Sequence, residues 1–129
     1  MPTESLQYTI LIVEDEASIK RVLANRLIRE GFKVLQASDG VEGLDLAMKE
    51  RPDLILLDII MPRMDGFTVL KKLREDTEWG DKVPIMLLTN LGQNEDVALG
   101  EQFDVHDYLV KSDWKIGDIV KRVKTKLAR

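Results

Sequence analysis

Five short apolar runs, each ending on a polar residue and followed by a stretch of helical periodicity, constrain this chain more than any other feature. The strongest is Leu54–Leu57, which follows Pro52-Asp53 and ends on Asp58. Such a run reads as a strand buried on both faces. The others are Tyr8–Val13, Phe32–Ala37, Val83–Leu88 and Val105–Val110, ending at Glu14, Ser38, Thr89 and Lys111. Phe32–Ala37 is less apolar, which places it nearer a sheet edge. Pro84 is compatible with a strand only near its start.

Between the runs, apolar residues recur at helical spacing. Ile19, Val22, Leu23 and Leu27 predict a helix over Ala17–Glu30, with Gly31 as its stop. Leu44, Leu46, Ala47 and Met48 predict one over Val41–Glu50, despite Gly43, which costs about 1 kcal/mol inside a helix. Asp65 can cap a third over Gly66–Asp76. A fourth, Glu95–Phe103, is poor in apolar residues and interrupted by Gly100. Ile116, Ile119, Val120, Val123 and Leu127 mark the last, Asp113–Ala128.

Strict strand–helix alternation implies an α/β fold, a parallel five-stranded sheet covered on both faces by right-handed crossovers. All strand ends then share one rim, the edge where open α/β sheets bind ligands. That rim collects Glu14, Asp15, Asp58, Thr89 and Lys111. Acids at strand ends can simply favour the following helix N-terminus, which accounts for Glu16 but less well for three acids in a row. Together they make a hard-oxygen site suited to Mg²⁺. An aspartate there can act as a nucleophile and form an acyl phosphate. Asp58, alone at the end of the most apolar strand, is the candidate. Lys111 can neutralise an added phosphoryl group and Thr89 can donate to it.

At 129 residues the chain is sized for one domain over 1–129, with residues 1–7 expected to be a flexible N-terminus. Its net charge of −4 makes direct nucleic-acid binding by this domain unexpected. The absence of cysteine excludes disulfides and thiolate metal sites. No apolar run approaches the ~20 residues of a membrane span. Met1–Tyr8 lacks a signal-peptide pattern, so a cytoplasmic location and no membrane partner are expected.

Four segments, LIVEDE at 11–16, LILLDIIMPRMDG at 54–66, LLTN at 87–90 and DYLVK at 107–111, together resemble the receiver (response-regulator, CheY-like) domains of two-component signalling. The resemblance spans nearly the whole chain, in order and spacing. It implies a flavodoxin-like (βα)5 doubly wound fold with strand order 2-1-3-4-5. It implies that Asp58 takes a phosphoryl group from a sensor histidine kinase or a phosphotransfer protein, and that the protein is a switch rather than a turnover enzyme. Mg²⁺ would be held by Asp15, Asp58 and the backbone oxygen of Ile60, with Glu14 acting through water. Lys111 would pair with the phosphate, Thr89 would move toward it, and Tyr108 would swing inward. The fourth helix, fifth strand and fifth helix would form the output face toward a downstream protein or effector domain.

The chain departs from the family pattern at three places. Ser112 follows the lysine where proline is usual, which leaves that bond open between cis and trans. Asn90 follows the threonine where Ala or Gly is usual. Ile60 and Leu91 are apolar at the two variable positions flanking the site, and the phosphorylated state is therefore expected to be long-lived. His106, the only histidine, lies at a strand start and is expected to be structural. Residues 111–129 carry seven basic residues against Asp113 and Asp118. This is either a solvated face, a docking surface for an acidic partner, or half of a phosphorylation-dependent homodimer paired with the acids of 101–107. A haloacid-dehalogenase-type phosphatase needs an aspartate where Ile60 stands. A flavin carrier would not place acids after the first strand. A phosphorylation-independent scaffold is the alternative reading.

Overall fold

The computed structural model describes residues 8–89, 94–105, 107–111 and 115–128, and within these all side chains except those of residues 89 and 94–97. In order the elements are β1 (Thr9–Val13), α1 (Ala17–Arg29), β2 (Lys33–Ala37), α2 (Gly40–Glu50), β3 (Leu54–Asp58), α3 (Gly66–Arg74), β4 (Ile85–Thr89), α4 (Asn94–Gln102), β5 (Asp107–Val110) and α5 (Ile116–Leu127). The strands form one parallel sheet in the order β2-β1-β3-β4-β5. This is the order that the resemblance implies.

Side chains of successive strand residues alternate between the two faces, so the apolar runs feed two separate cores. Ile10, Ile12, Leu54, Leu56, Met86 and Leu88 pack with Leu23 and Leu27 of α1 and Ile119, Val120 and Val123 of α5. Leu11, Val13, Ile55, Leu57, Ile85 and Leu87 pack with Ala47 of α2 and Val69, Leu70 and Leu73 of α3. All five residues of β3 are buried, as a central strand of a two-faced sheet requires. Gly43 is explained by this packing. A Cβ there would lie 2.6 Å from Val13 Cγ1, so the glycine lets α2 press directly onto β1.

Several predicted boundaries move by one to three residues, each for a local reason. The Phe32 N–H donates back to Leu27 O at 3.1 Å, so β2 starts at Lys33 rather than Phe32. Helix α3 ends at Arg74, short of Asp76, whose carboxylate instead accepts from the N–H groups of Trp79 (3.0 Å) and Gly80 (2.7 Å). Val83 and Pro84 precede β4, which runs on through Thr89. Asp104 adopts a left-handed φ of 63°, and Val105 N–H closes on Gly100 O at 2.9 Å. That helix stop pushes β5 to start at Asp107, not Val105. Residues 1–7, Asn90, Leu91, His106 and Ser112, including the Lys111–Ser112 bond, lie outside the described residues. Among the described residues, no helix is long and apolar enough to cross a membrane.

Candidate functional site

The parallel topology sends the ends of β1, β3, β4 and β5 to one rim. Register fixes their neighbourhood: Val13 pairs with Leu57, Asp58 with Leu88, and Thr89 with Val110. Glu14 therefore follows β1 beside Asp58, the last residue of the adjacent β3, and Lys111 emerges one residue beyond β5. Glu14 is fully buried and Asp58 is 2% exposed, whereas Asp15 is open to solvent. One carboxylate oxygen from each of Glu14, Asp15 and Asp58 lies within 4.8 Å of the others.

Lys111 reaches into this cluster with its ammonium buried. Its Nζ stands 2.7 Å from Glu14 Oε1 and donates to Asp58 Oδ2 at 3.1 Å. Glu14 Oε2 accepts from the Glu16 N–H at 3.0 Å, whereas Oε1 faces the ammonium as an ion pair without hydrogen-bond geometry. Among the described residues, Asp58 Oδ1 receives only a long contact from Ile60 N–H, 3.4 Å. Burial, and next the charge of Glu14, push the Asp58 carboxyl up to about 7, with Lys111 opposing. Burial alone would lower Lys111, but its contacts with Glu14 and Asp58 outweigh that and raise it.

The loop after β3 is brought over the site by a glycine. Gly66 N–H donates to Ile59 O at 2.7 Å, and a Cβ on Gly66 would overlap the Asp58 carbonyl oxygen. The Asp65 carboxylate then caps α3 by accepting from Thr68 N–H at 2.9 Å, as its sequence position predicts. On the outer side, Arg63 adopts a left-handed φ of 70° and pairs with Asp39 at 3.1 Å. Asp39 is itself the N-cap of α2.

Of the residues singled out in the sequence, Glu14, Asp15, Asp58 and Lys111 converge. Thr89 ends the neighbouring strand, and its side chain lies outside the described residues. Ile60, two residues after Asp58, is 68% exposed. Tyr108 stands apart from the carboxylates: it is half-buried against the α2–α3 core, and its hydroxyl donates to Val105 O at 3.0 Å. Sequence reading had placed Glu14 near a metal and Lys111 near a phosphate. It did not foresee that these two are each other's nearest charged partners. Gly66 was also missed as a site residue, although the Asp65-Gly66 pair closing the loop after β3 is a visible signal for a close approach.

Three hard carboxylates against one ammonium, with Asp15 open to water, are a donor set that fits a small divalent cation. The remaining deficit of positive charge is what such an ion would meet.

Comparison with known proteins agrees with this geometry. The profile of the family described as "Response regulator receiver domain" matches residues 10–124. The chain is 45% identical over 102 residues to "Probable transcriptional regulator ycf27" of Guillardia theta, covering 79% of this chain and 39% of that protein. It is 39% identical over 120 residues to the "DNA-binding dual master transcriptional regulator RpaA" of Synechocystis, covering 93% and 49%. The chain thus spans less than half the length of these two curated relatives. Among solved structures, the Francisella response regulator 1452 receiver domain superposes with a TM-score of 0.86 at 28% identity, covering 95% and 98% of the two chains. The Vibrio cholerae chemotaxis protein CheY4 gives 0.84 at 30% identity, covering 92% and 97%.

Proposed function

The chain belongs to the response regulator receiver domains, with their CheY-like, flavodoxin-like fold, and from that premise we propose a phosphorylation-driven switch with Asp58 as the acceptor. The observation that carries this reading is the placement of Asp58. It is a buried carboxylate at the end of the central strand, with one oxygen held by Lys111 and the other, among the described residues, meeting only the Ile60 N–H at 3.4 Å. The less engaged oxygen attacks the phosphorus of a phosphohistidine on a sensor kinase or phosphotransfer protein. The P–N bond breaks, its electron pair returns to the imidazole, and an acyl phosphate forms on Asp58.

Asp15, Asp58 and the Ile60 backbone oxygen would hold Mg²⁺, and Glu14, which faces Lys111 and the Glu16 N–H, would act one water removed. The ion supplies charge neutralisation for the transferring phosphoryl oxygens. Lys111 already sits beside Asp58 Oδ2 and can follow the new negative charge without leaving the site. Thr89, next to Asp58 on the adjoining strand, and Tyr108 on β5 would read that charge, and α4, β5 and α5 would form the output face. Residues 1–129 are a single receiver unit, acting in the cytoplasm and catalysing no turnover beyond gain and loss of its own phosphoryl group.

The longer relatives are named transcriptional regulators, one of them DNA-binding. The downstream element is therefore an effector domain or protein of transcription control. The expectation of no direct nucleic-acid contact applies to these 129 residues only. Phosphorylation-dependent pairing of two copies through the output face is part of the same proposal. The phosphorylation-independent scaffold has no specific observation in its favour.

The test is intact mass after incubation with acetyl phosphate and Mg²⁺, on wild type and Asp58→Asn. One phosphoryl group should be gained by wild type alone, and chelation should abolish the gain. Equal labelling of the variant, or none of either protein with acetyl phosphate and with phosphorylated kinase, refutes the proposal.

A further inference from the structure

Gly100 sits in the last turns of α4, where glycine costs about 1 kcal/mol relative to alanine. Its backbone does not require glycine, because among the described residues the left-handed glycine is Gly31. Space does. A Cβ on Gly100 would overlap the Tyr108 hydroxyl and stand 2.8 Å from Cζ and 3.1 Å from Cε1 of the ring. The tip of Tyr108 therefore rests against the bare Cα of a buried residue.

The rest of the seat is built from the same helix end. Gly100 O accepts from Phe103 N–H and from Val105 N–H, both at 2.9 Å, and Asp104 N–H closes on Glu101 O at 3.1 Å. With Asp104 left-handed, this is a Schellman stop. It turns the Val105 carbonyl to where it accepts the Tyr108 hydroxyl at 3.0 Å. The notch and the hydrogen-bond acceptor thus belong to one helix terminus. Tyr108 reaches both from β5, and its ring packs onto the α2–α3 core.

From this juxtaposition we infer that Gly100 is a positioning residue for Tyr108: the notch it leaves in α4 seats the ring beside Val105, away from the carboxylates, and ties the position of α4 to the rotamer of Tyr108. The inference rests on Tyr108 as a residue of the proposed switch and adds the surface it switches against. A ring that leaves the notch must rotate about its own Cα–Cβ bond, since the seat behind it is main chain and cannot yield cheaply. Conversely, a shift of α4 along β5 carries the notch and the Val105 acceptor away together. The two states are then a seated and an unseated ring, with no intermediate that keeps the hydroxyl satisfied by Val105.

The experiment measures nitration of Tyr108 by tetranitromethane, read by peptide mass and normalised to Tyr8 in the same chain. Gly100→Ala should raise the relative reactivity of Tyr108 several-fold without phosphorylation. Equal reactivity in the two proteins overturns the inference. A double-mutant cycle covers the case in which the variant is poorly folded. Gly100→Ala should lower the melting temperature with Tyr108 present and raise it in a Tyr108→Ala background, where only the gain in helix propensity is left. The same sign in both backgrounds also overturns the inference. Phosphoryl uptake by wild type is measured separately. Its absence would sink the receiver reading alone, whereas unchanged nitration in a protein that does take up phosphate would sink the notch alone.

Discussion

Asp58→Asn should stabilise the cation-free protein, and the stability of wild type should fall as pH rises through neutrality. The folded Asp58 carboxyl titrates at about 7 against an ordinary 3.8, chiefly because it is buried and next because Glu14 stands beside it. Between those values the folded chain keeps a proton that the unfolded chain has released. Stability contributed by that proton is present below the unfolded value and lost as pH climbs through the folded one. At 1.36 kcal/mol per pH unit the gap of about three pH units sets a ceiling of ~4 kcal/mol. The asparagine amide must still find partners in the same pocket, so about half of the ceiling, ~2 kcal/mol, is expected for Asp58→Asn at pH 8. For a chain of this size that is roughly 8 °C in melting temperature. The depressed carboxyls Glu30 and Asp76 weaken the fold only at acid pH, below the relevant window. Thermal and urea unfolding of both proteins in a chelator, from pH 5 to pH 8.5, gives the two profiles. They should lie closest at pH 5, separate steadily up to about pH 7 and level off above it, with Mg²⁺ raising wild type more than the variant. A wild-type profile that is flat or rising from pH 5.5 to pH 8 would refute the reasoning.

Lys111→Met leaves Glu14 and Asp58 buried without a cation and should cost about 3 kcal/mol at pH 8, less at pH 5 where Asp58 takes up its proton; urea unfolding at both pH values checks this. Arg74→Met removes donors to the Phe103, Gly80 and Val83 carbonyls at 2.7–2.8 Å. It should cost about 3 kcal/mol in urea unfolding while Asp58 still takes up phosphate below the melting temperature. Gly43→Ala forces a methyl onto Val13 and should destabilise by ~1–2 kcal/mol after its helix-propensity gain, with Val13→Ala in the same chain reducing the loss in calorimetry. Ile60→Asn puts a polar group on an exposed side chain beside Asp58 and should shorten the lifetime of the phosphorylated state several-fold, read by the decay of the intact-mass adduct.

The fold was legible where one physical demand dominates. Leu54–Leu57 has apolar residues facing both ways, and a strand covered on both faces is where such a run is stable. Helix α5 was equally plain, because Ile119, Val120, Val123 and Leu127 all reach the core. Ends were less legible because hydrogen bonds set them rather than patterns. Nothing in the string tells that Phe32 bonds back to Leu27, or that Asp76 serves a turn instead of ending a helix. Helix α4 reads weakly because it gives up a side chain at Gly100 to a tyrosine eight residues later, a trade visible only in three dimensions.

The site was legible to the level of strand ends and no further. Register puts Glu14 beside Asp58 on adjacent strands, and Lys111, two strands from Asp58, reaches both through the length of its side chain. Alternation stops where the strand stops, and it cannot say whether Glu14 or Asp15 turns inward. The structure turns Glu14 in and leaves Asp15 out, and that choice determines the electrostatics. With Glu14 buried, Lys111 is shared between two acids, and a phosphoryl group placed on Asp58 as proposed would compete with Glu14 for the same ammonium. A lysine with one partner could answer new charge only by tightening. A lysine with two can be redistributed, and it is anchored at the end of β5, three residues after the tyrosine that rests in α4. The buried glutamate thus makes the cation at this rim sensitive to what happens on Asp58, at the cost in stability that the Asp58→Asn comparison measures.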